Sequence, residues 1–167
     1  MDPQTSSTVL LCRPAAFGFN AEAARSNAFA ADPGSETASA ALAEFDALVA
    51  ALERAGVTSL ILDDNAARPC PDAVFPNNWV SFHAGGTMVL YPMANASRRP
   101  ERQPEAVRKL AEGHGLEVRR IVDLSHMEAD GHHLEGTGSL ILDRPARAAF
   151  AARSERTSEQ AVRAFDS

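Results

Sequence analysis

The sequence predicts an α/β or α+β domain in which strand pairs alternate with single helices. Three observations predict it. Apolar residues at helical spacing (Leu42, Phe45, Val49, Leu52) mark a helix over residues 36–55. Short apolar runs bounded by Gly, Pro, Asp and Asn recur on either side of it. Ala84-Gly85-Gly86 separates two such runs. That hairpin signal argues against a purely parallel sheet.

Composition bounds the answer further. The 167 residues are 45% hydrophobic and 23% charged, which suits one globular domain and excludes disorder as the main state. The net charge is −6, and the only dense basic cluster is Arg98-Arg99 with Arg102. A phosphate backbone would find no basic stripe, so nucleic acid is not an expected partner. Two cysteines, Cys12 and Cys70, are too few for a disulfide scaffold and suit a reducing compartment. No apolar run approaches the ~20 residues of a membrane span. Met1-Asp2-Pro3 opens no positive and then apolar leader. The expectation is a cytoplasmic protein without a membrane partner.

In chain order, Thr8 to Cys12 reads as a short buried strand. A long loop follows with Arg13, Pro14, Phe17, Phe19, Asn20, Asn27 and Phe29. Loops of that length are often functional, and a surface excursion pinned by its Phe residues is the plainer reading. Ser35 is the candidate N-cap of the helix and Gly56 its C′ residue. Strands are expected at Val57 to Leu62, Trp79 to His83 and Thr87 to Tyr91. Pro104 opens a second helix that Gly113 and Gly115 stop near Glu112. Glu117 to Val122, Ser139 to Asp143 and Arg147 to Ala152 read as strands, the last two joined by a turn at Asp143-Arg144-Pro145. Thr157 with Gln160 forms a capping box that starts a helix at Ser158. That helix ends after barely two turns, which reads either as a frayed terminus or as a unit cut short.

Two segments carry polar groups suited to chemistry. Pro71 to Trp79 combines Asp72, Asn77 and Asn78 with Phe75 and Trp79. Such a mixture lines small-molecule pockets, yet Pro, Asp and Asn are also ordinary turn formers, and spacing alone favours a turn. Leu134-Glu135-Gly136-Thr137-Gly138-Ser139 puts one carboxylate before two glycines. Glycines permit close backbone approach to a ligand, and a bulge or tight bend is the alternative. A phosphate loop is not expected, because no Lys is present and a strand rather than a helix should follow. His126, His132, His133 and Glu135 fit no usual zinc spacing, so solvated loop histidines are expected there. Cys12 lies inside an apolar strand and Cys70 between Pro69 and Pro71. Neither has a neighbour that would stabilise a thiolate.

Together, these segments resemble the guanidino-group-modifying superfamily: arginine deiminases, dimethylarginine dimethylaminohydrolases and amidinotransferases. The resemblance rests on Asp72 to Trp79, Tyr91-Pro92-Met93, Arg98-Arg99 with Glu101-Arg102, Leu134 to Ser139 and Ser154-Glu155-Arg156-Thr157. The opening, Arg13 to Asn20, is similar to the citrulline-hydrolase branch. The resemblance implies a partial α/β propeller with pseudo-fivefold ββαβ units, of which residues 1–167 form the N-terminal part of a single catalytic domain, apparently truncated. It implies a Cys nucleophile and a proton-carrying His in the second half, near a His-Thr-Asn motif that is not present here, and no metal or organic cofactor.

Carried over residue by residue, Asp72 resembles the carboxylate that holds substrate nitrogens, and Phe75 and Asn77, the neighbour of Asn78, are further substrate-binding candidates. Asn78 stands where many guanidine-acting relatives have Asp. Glu135 resembles the catalytic glutamate that contacts the substrate head and orients the histidine. Arg98 or Arg99, and Arg156, resemble the arginines that receive the substrate α-carboxylate, a task suited to a guanidinium fork. A carboxamide at Asn78 offers both a donor and an acceptor, which suits a neutral ureido head. Citrulline, cleaved to ornithine, ammonia and carbon dioxide, is therefore the first expected substrate. Deimination of arginine or dimethylarginine and amidino transfer are the alternatives within the superfamily. Of another class is a non-catalytic half-ring that binds an amino acid, its open strand edges favouring a homo-oligomer.

Overall fold

β1 (Thr8–Arg13) and β2 (Thr58–Asp63) pair in parallel, with Cys12 opposite Leu62. A parallel pair needs a crossover, and the connection supplies it with α2 (Thr37–Arg54). The computed structural model describes residues 3–25, 37–64 and 70–167. Asn27, Phe29, Ser35 and Pro69 lie outside the described residues.

The chain divides into two compact units. One comprises Ser7–Pro76 and Ser97–Leu110. Its buried apolar residues include Cys12, Phe45, Leu60, Leu62 and Cys70. Phe45 is the buried centre of the α2 stripe, and Leu42, Val49 and Leu52 flank it half-buried. Gly56 ends α2 as expected. Its φ is +78, its N–H reaches the Glu53 carbonyl, and the Val57 N–H reaches the Leu52 carbonyl. These two bonds make a Schellman motif. The long loop after β1 is not featureless. Asn20 caps one helical turn, α1 (Ala21–Ala24), by accepting from the N–H groups of Glu22 and Ala23. Phe19, expected to pin the loop, is exposed.

The other unit holds Asn77–Ala96 and Ala111–Ser167 with the opening residues through Ser6. β3 (Val80–His83) and β4 (Thr87–Leu90) form the expected hairpin, and β5 (Arg120–Asp123) pairs parallel with β4. The connection from β4 to β5 contains α3 (Pro104–Gly113), so β3, β4, α3 and β5 are one ββαβ sequence. β5 starts at Arg120 rather than Glu117 because the N–H groups of Arg119 and Arg120 both end on the Gly86 carbonyl, before the ladder begins. β6 (Leu140–Asp143) and β7 (Ala148–Ala151) form a second hairpin. Its turn includes Arg147 at φ +52, and Asp143 accepts from the Ala146 N–H.

Val89, Tyr91, Leu124, Leu134, Leu140 and Ala161 form the core of this unit, with Phe165 packed against them. Ala161 and Phe165 come from α5 (Glu159–Asp166). The cap of α5 is Ser158, whose hydroxyl accepts from the Ala161 N–H. This corrects the expected Thr157–Gln160 box by one residue. Thr157 is instead buried in bridges to Leu134 and Ser154. Among the described residues no helix is long and apolar enough to cross a membrane.

Gly86 tests the hairpin. Its φ is +80, and an added Cβ would lie 2.6 Å from the Glu117 carbonyl oxygen. Gly86→Ala should lose at least about 2 kcal/mol, from left-handed backbone strain plus a backbone collision. Urea unfolding at constant m-value measures it. A midpoint equal to wild type would contradict this account of the turn.

Candidate functional site

Glu135 is a fully buried carboxylate, so it needs donors on its oxygens. The fold of the second unit brings three. The Ala94 N–H donates to Oε1 at 3.1 Å. Asn78 Nδ2 donates to Oε2 at 3.2 Å, and Arg156 Nη1 approaches the same oxygen at 3.5 Å. Each donor has a local cause. Ala94 follows Pro92, whose carbonyl accepts from the Leu134 N–H at 2.9 Å. Asn78 ends the 3-10 turn Pro76–Asn78 just before β3. Arg156 is placed by its own carbonyl, which accepts from the Glu135 N–H at 3.3 Å and the Ser139 hydroxyl at 2.9 Å.

The glycine loop is a helical turn, α4 (Gly136–Ser139), with Glu135 at its N-cap position. The expectation of a strand directly after the glycines is therefore corrected: one turn precedes β6. Asn77 Nδ2 donates to Thr137 Oγ1 at 3.1 Å. An added Cβ on Gly136 would lie 2.2 Å from the Asn77 carbonyl oxygen, and its φ is +39. Loop 135–139 and the 77–78 turn are thus locked together. Four expected site residues, Asn77, Asn78, Glu135 and Arg156, form one group.

Asp72, Phe75 and Arg98 form a second group, in the first unit. Asn20 Nδ2 donates to Asp72 Oδ2 at 2.8 Å, and Arg98 Nε lies 3.7 Å from that oxygen. The Arg98 guanidinium lies 6.0 Å from the centre of the exposed Phe75 ring. Its Nε and Nη2 are each held at 2.8 Å by Glu101, a buried partner. Arg98, named with Arg99 as a candidate for the substrate α-carboxylate, is therefore fixed in direction by a two-bond fork. Arg99 lies beside it, half-buried, in the 3-10 turn Ala96–Glu101.

Sequence reasoning missed Asn20 and Glu101 as site residues. Both left a signal. Asn20 precedes Ala-Glu-Ala-Ala, the pattern of an N-cap, and Arg98 and Glu101 are three residues apart in a helical turn. The Ala94 N–H left none, because a backbone donor carries no residue type.

Cys12 and Cys70 are buried free cysteines. Burial and the nearby Asp64, Glu101 and Asp63 carboxylates push the Cys12 thiol up to about 12. His126 and His133 each donate Nδ1–H to a backbone carbonyl, of Asp123 and Glu155 respectively. Among the described residues no group of three or more His, Cys, Asp or Glu is arranged to hold a metal ion.

With the geometry in hand, the comparisons are informative. The family model described as N,N-dimethylarginine dimethylhydrolase, eukaryotic, matches residues 13–167. No curated protein matches the sequence. Among solved structures, the N-terminal domain of ArgZ bound to product, an arginine dihydrolase from cyanobacteria, is similar with a TM-score of 0.65 and 18% identity. The match covers 92% of this chain and 50% of that one. AgrE in ternary complex with ornithine and NAD+ is similar with a TM-score of 0.65 and 20% identity, over 93% of this chain and 21% of that one. A variant dimethylarginine dimethylaminohydrolase in an adduct with S-methyl-L-thiocitrulline gives 0.63 and 18%, over 95% and 54%. The fold class is therefore that of a partial α/β propeller, with several small sheets and no closed ring among the described residues. The chain spans about half or less of the length of these structures.

Two predictions follow from the buried groups. Glu101→Ala removes the two-bond partner of the buried Arg98 cation, leaving the Asp72 carboxylate at 3.7 Å, and should cost about 3 kcal/mol, whereas Arg98→Met with Glu101→Leu should cost far less. Chemical denaturation of the three proteins decides, and equal losses in both variants would sink the pair's assignment. The second concerns alkaline pH. Cys12 rises from 9.0 and Tyr91, buried beside Ser81, from 10.0, each to about 12 in the fold. Both are neutral acids protected by folding. Their contribution is complete below pH 9 and is lost as pH rises toward 12. A melting temperature that rises across that window would contradict this.

Proposed function

The chain belongs to the N,N-dimethylarginine dimethylhydrolase family, and on that premise we propose that it grips the guanidino head of a free amino acid for hydrolysis of a carbon–nitrogen bond. The observation that carries the reading is the orientation of Asn78. Its Nδ2 is committed to Glu135, and its Oδ1 accepts from no described residue. The face offered to a ligand is therefore an acceptor beside a carboxylate. A guanidinium supplies N–H donors and positive charge to such a face.

The expectation of citrulline rested on Asn78 offering both halves of its amide. With one of its two N–H groups committed to Glu135, the amide has less donor capacity to offer, and that reason favours a ureido head less. L-arginine or a methylated arginine becomes the leading substrate class, and citrulline the second. Asp72, with Phe75 in the same unit, is proposed to hold a substrate nitrogen, and Asn77 is proposed for substrate binding in the unit of Glu135. Arg156, in the unit of Glu135, is one candidate for the α-carboxylate, and Arg99, beside an Arg98 directed by Glu101, is the other candidate. Glu135 is the proposed catalytic carboxylate.

Covalent catalysis in this superfamily needs a thiolate and a proton carrier. Cys12, buried and with its thiol pushed up to about 12, is unsuited to the first role. We propose that residues 1–167 form the N-terminal part of one catalytic domain and that the nucleophile lies outside them. The residues of this chain would bind and orient the head group.

Calorimetric titration tests the reading. L-arginine should bind more tightly than L-citrulline, and Asn78→Ala should raise the arginine Kd roughly tenfold by removing one acceptor to a charged donor. Tighter citrulline binding, or an Asn78→Ala variant with unchanged arginine affinity, would refute it.

A further inference from the structure

Gly136 and Gly138 both approach the 77–78 turn, but for different reasons. Gly136 sits at φ +39 against the Asn77 backbone, and an added Cβ would meet the carbonyl oxygen at 2.2 Å. Both the conformation and the neighbour there are backbone. Gly138 is not among the positive-φ glycines. An added Cβ at Gly138 would meet Asn78 Nδ2 at 2.8 Å and Asn78 Cγ at 3.3 Å, the end of a side chain. No backbone conformation demands glycine at 138. What its missing side chain decides is where the Asn78 carboxamide lies.

We infer that Gly138 is a positioning residue: the space it leaves lets the Asn78 amide rest with Nδ2 on Glu135 Oε2 and Oδ1 turned to the ligand. The inference deepens the proposed function and rests on it only for the identity of that ligand. A methyl group at 138 forces a choice between moving the α4 backbone and moving the amide. The amide tip yields first, because it is held by one 3.2 Å hydrogen bond. The α4 backbone is held by the Gly138 and Ser139 N–H groups on the Glu135 carbonyl and by the Ser139 hydroxyl on the Arg156 carbonyl. Gly138→Ala is therefore expected to fold and to lose the oriented acceptor. Thr137, between the two glycines, holds Asn77 through its hydroxyl and does not touch this choice.

Side-chain amide spectra of the 15N-labelled chain read the effect directly. The Asn78 Nδ2 pair, identified by its loss in Asn78→Asp, should show two unequal protons, one of them held by the Glu135 carboxylate. In Gly138→Ala the pair should move to the position of a free amide, and the Kd for L-arginine should rise about tenfold. In Thr137→Val the Asn78 pair should stay in place. An Asn78 pair unchanged in Gly138→Ala overturns the inference. Should that variant fold poorly, the thermal melts of Gly138→Ala, Asn78→Ala and the double variant decide instead. Crowding between the two residues predicts a double-variant loss smaller than the sum of the singles, and a strictly additive loss overturns the inference. A wild-type chain that binds no arginine counts against the proposed function alone, because the amide signal still reports on Gly138.

Discussion

A carboxylate buried out of water dictates the form of everything around it. Glu135 has no solvent-exposed surface, and leaving it without donors would cost several kcal/mol. Its donors come from three places far apart in sequence: the backbone at Ala94, the side chain of Asn78 and the side chain of Arg156. Meeting that demand ties the end of β4, the entrance to β3 and the segment before α5 to one point. Core residues stand close to these groups along the chain, Tyr91 three residues before Ala94, Leu134 next to Glu135 and Ala161 five after Arg156. The local fold and the carboxylate's surroundings are therefore tied through short stretches of shared backbone.

Close approach is the second part of that constraint. The turn at 77–78 can reach Glu135 only if loop 135–139 presents no side chain at two points. Gly136 gives room to a backbone carbonyl and Gly138 to a carboxamide. Thr137 keeps its side chain because it faces Asn77 as a hydrogen-bond partner. The alternation of glycine with a polar residue, which in the sequence suits a bulge as well as a ligand loop, turns out to be a clamp between two pieces of chain.

Regular elements were legible because their causes are local. The stripe Leu42, Phe45, Val49, Leu52 and the stop at Gly56 define α2 from within its own residues. Ala84-Gly85-Gly86 defines the hairpin in the same way. Where the cause is distant, the sequence was silent or misleading. A capping box at Thr157 and Gln160 is locally sound, but Thr157 is drawn into a bridge with Leu134, 23 residues away in the chain, and Ser158 takes over the cap. The one-turn helix at Gly136–Ser139 has no helical signature, since two of its four residues are glycines. Site residues such as Asp72 and Glu135 could be named from motifs. Asn20, the partner of Asp72, and Glu101, the partner of Arg98, could not, although each left a capping or spacing signal. Nor could the orientation of the Asn78 amide be read, because it is decided by Glu135 across 57 residues.

The two arginine–glutamate pairs show how far residue identity falls short of chemistry. Arg98 and Glu101 meet through two bonds of 2.8 Å, with both side chains buried. Arg156 meets Glu135 through one contact of 3.5 Å, and about a third of its side chain is exposed. A bidentate, desolvated pair holds its geometry, and exchange of either partner leaves an uncompensated charge. A single long contact at the edge of solvent is cheap to give up, since water and a ligand can both compete for it. Glu101 therefore fixes Arg98 in one direction, while Arg156 is held less firmly to Glu135. Its departure would leave Glu135 with the Ala94 and Asn78 donors alone and raise the negative potential on the face that Asn78 Oδ1 shares.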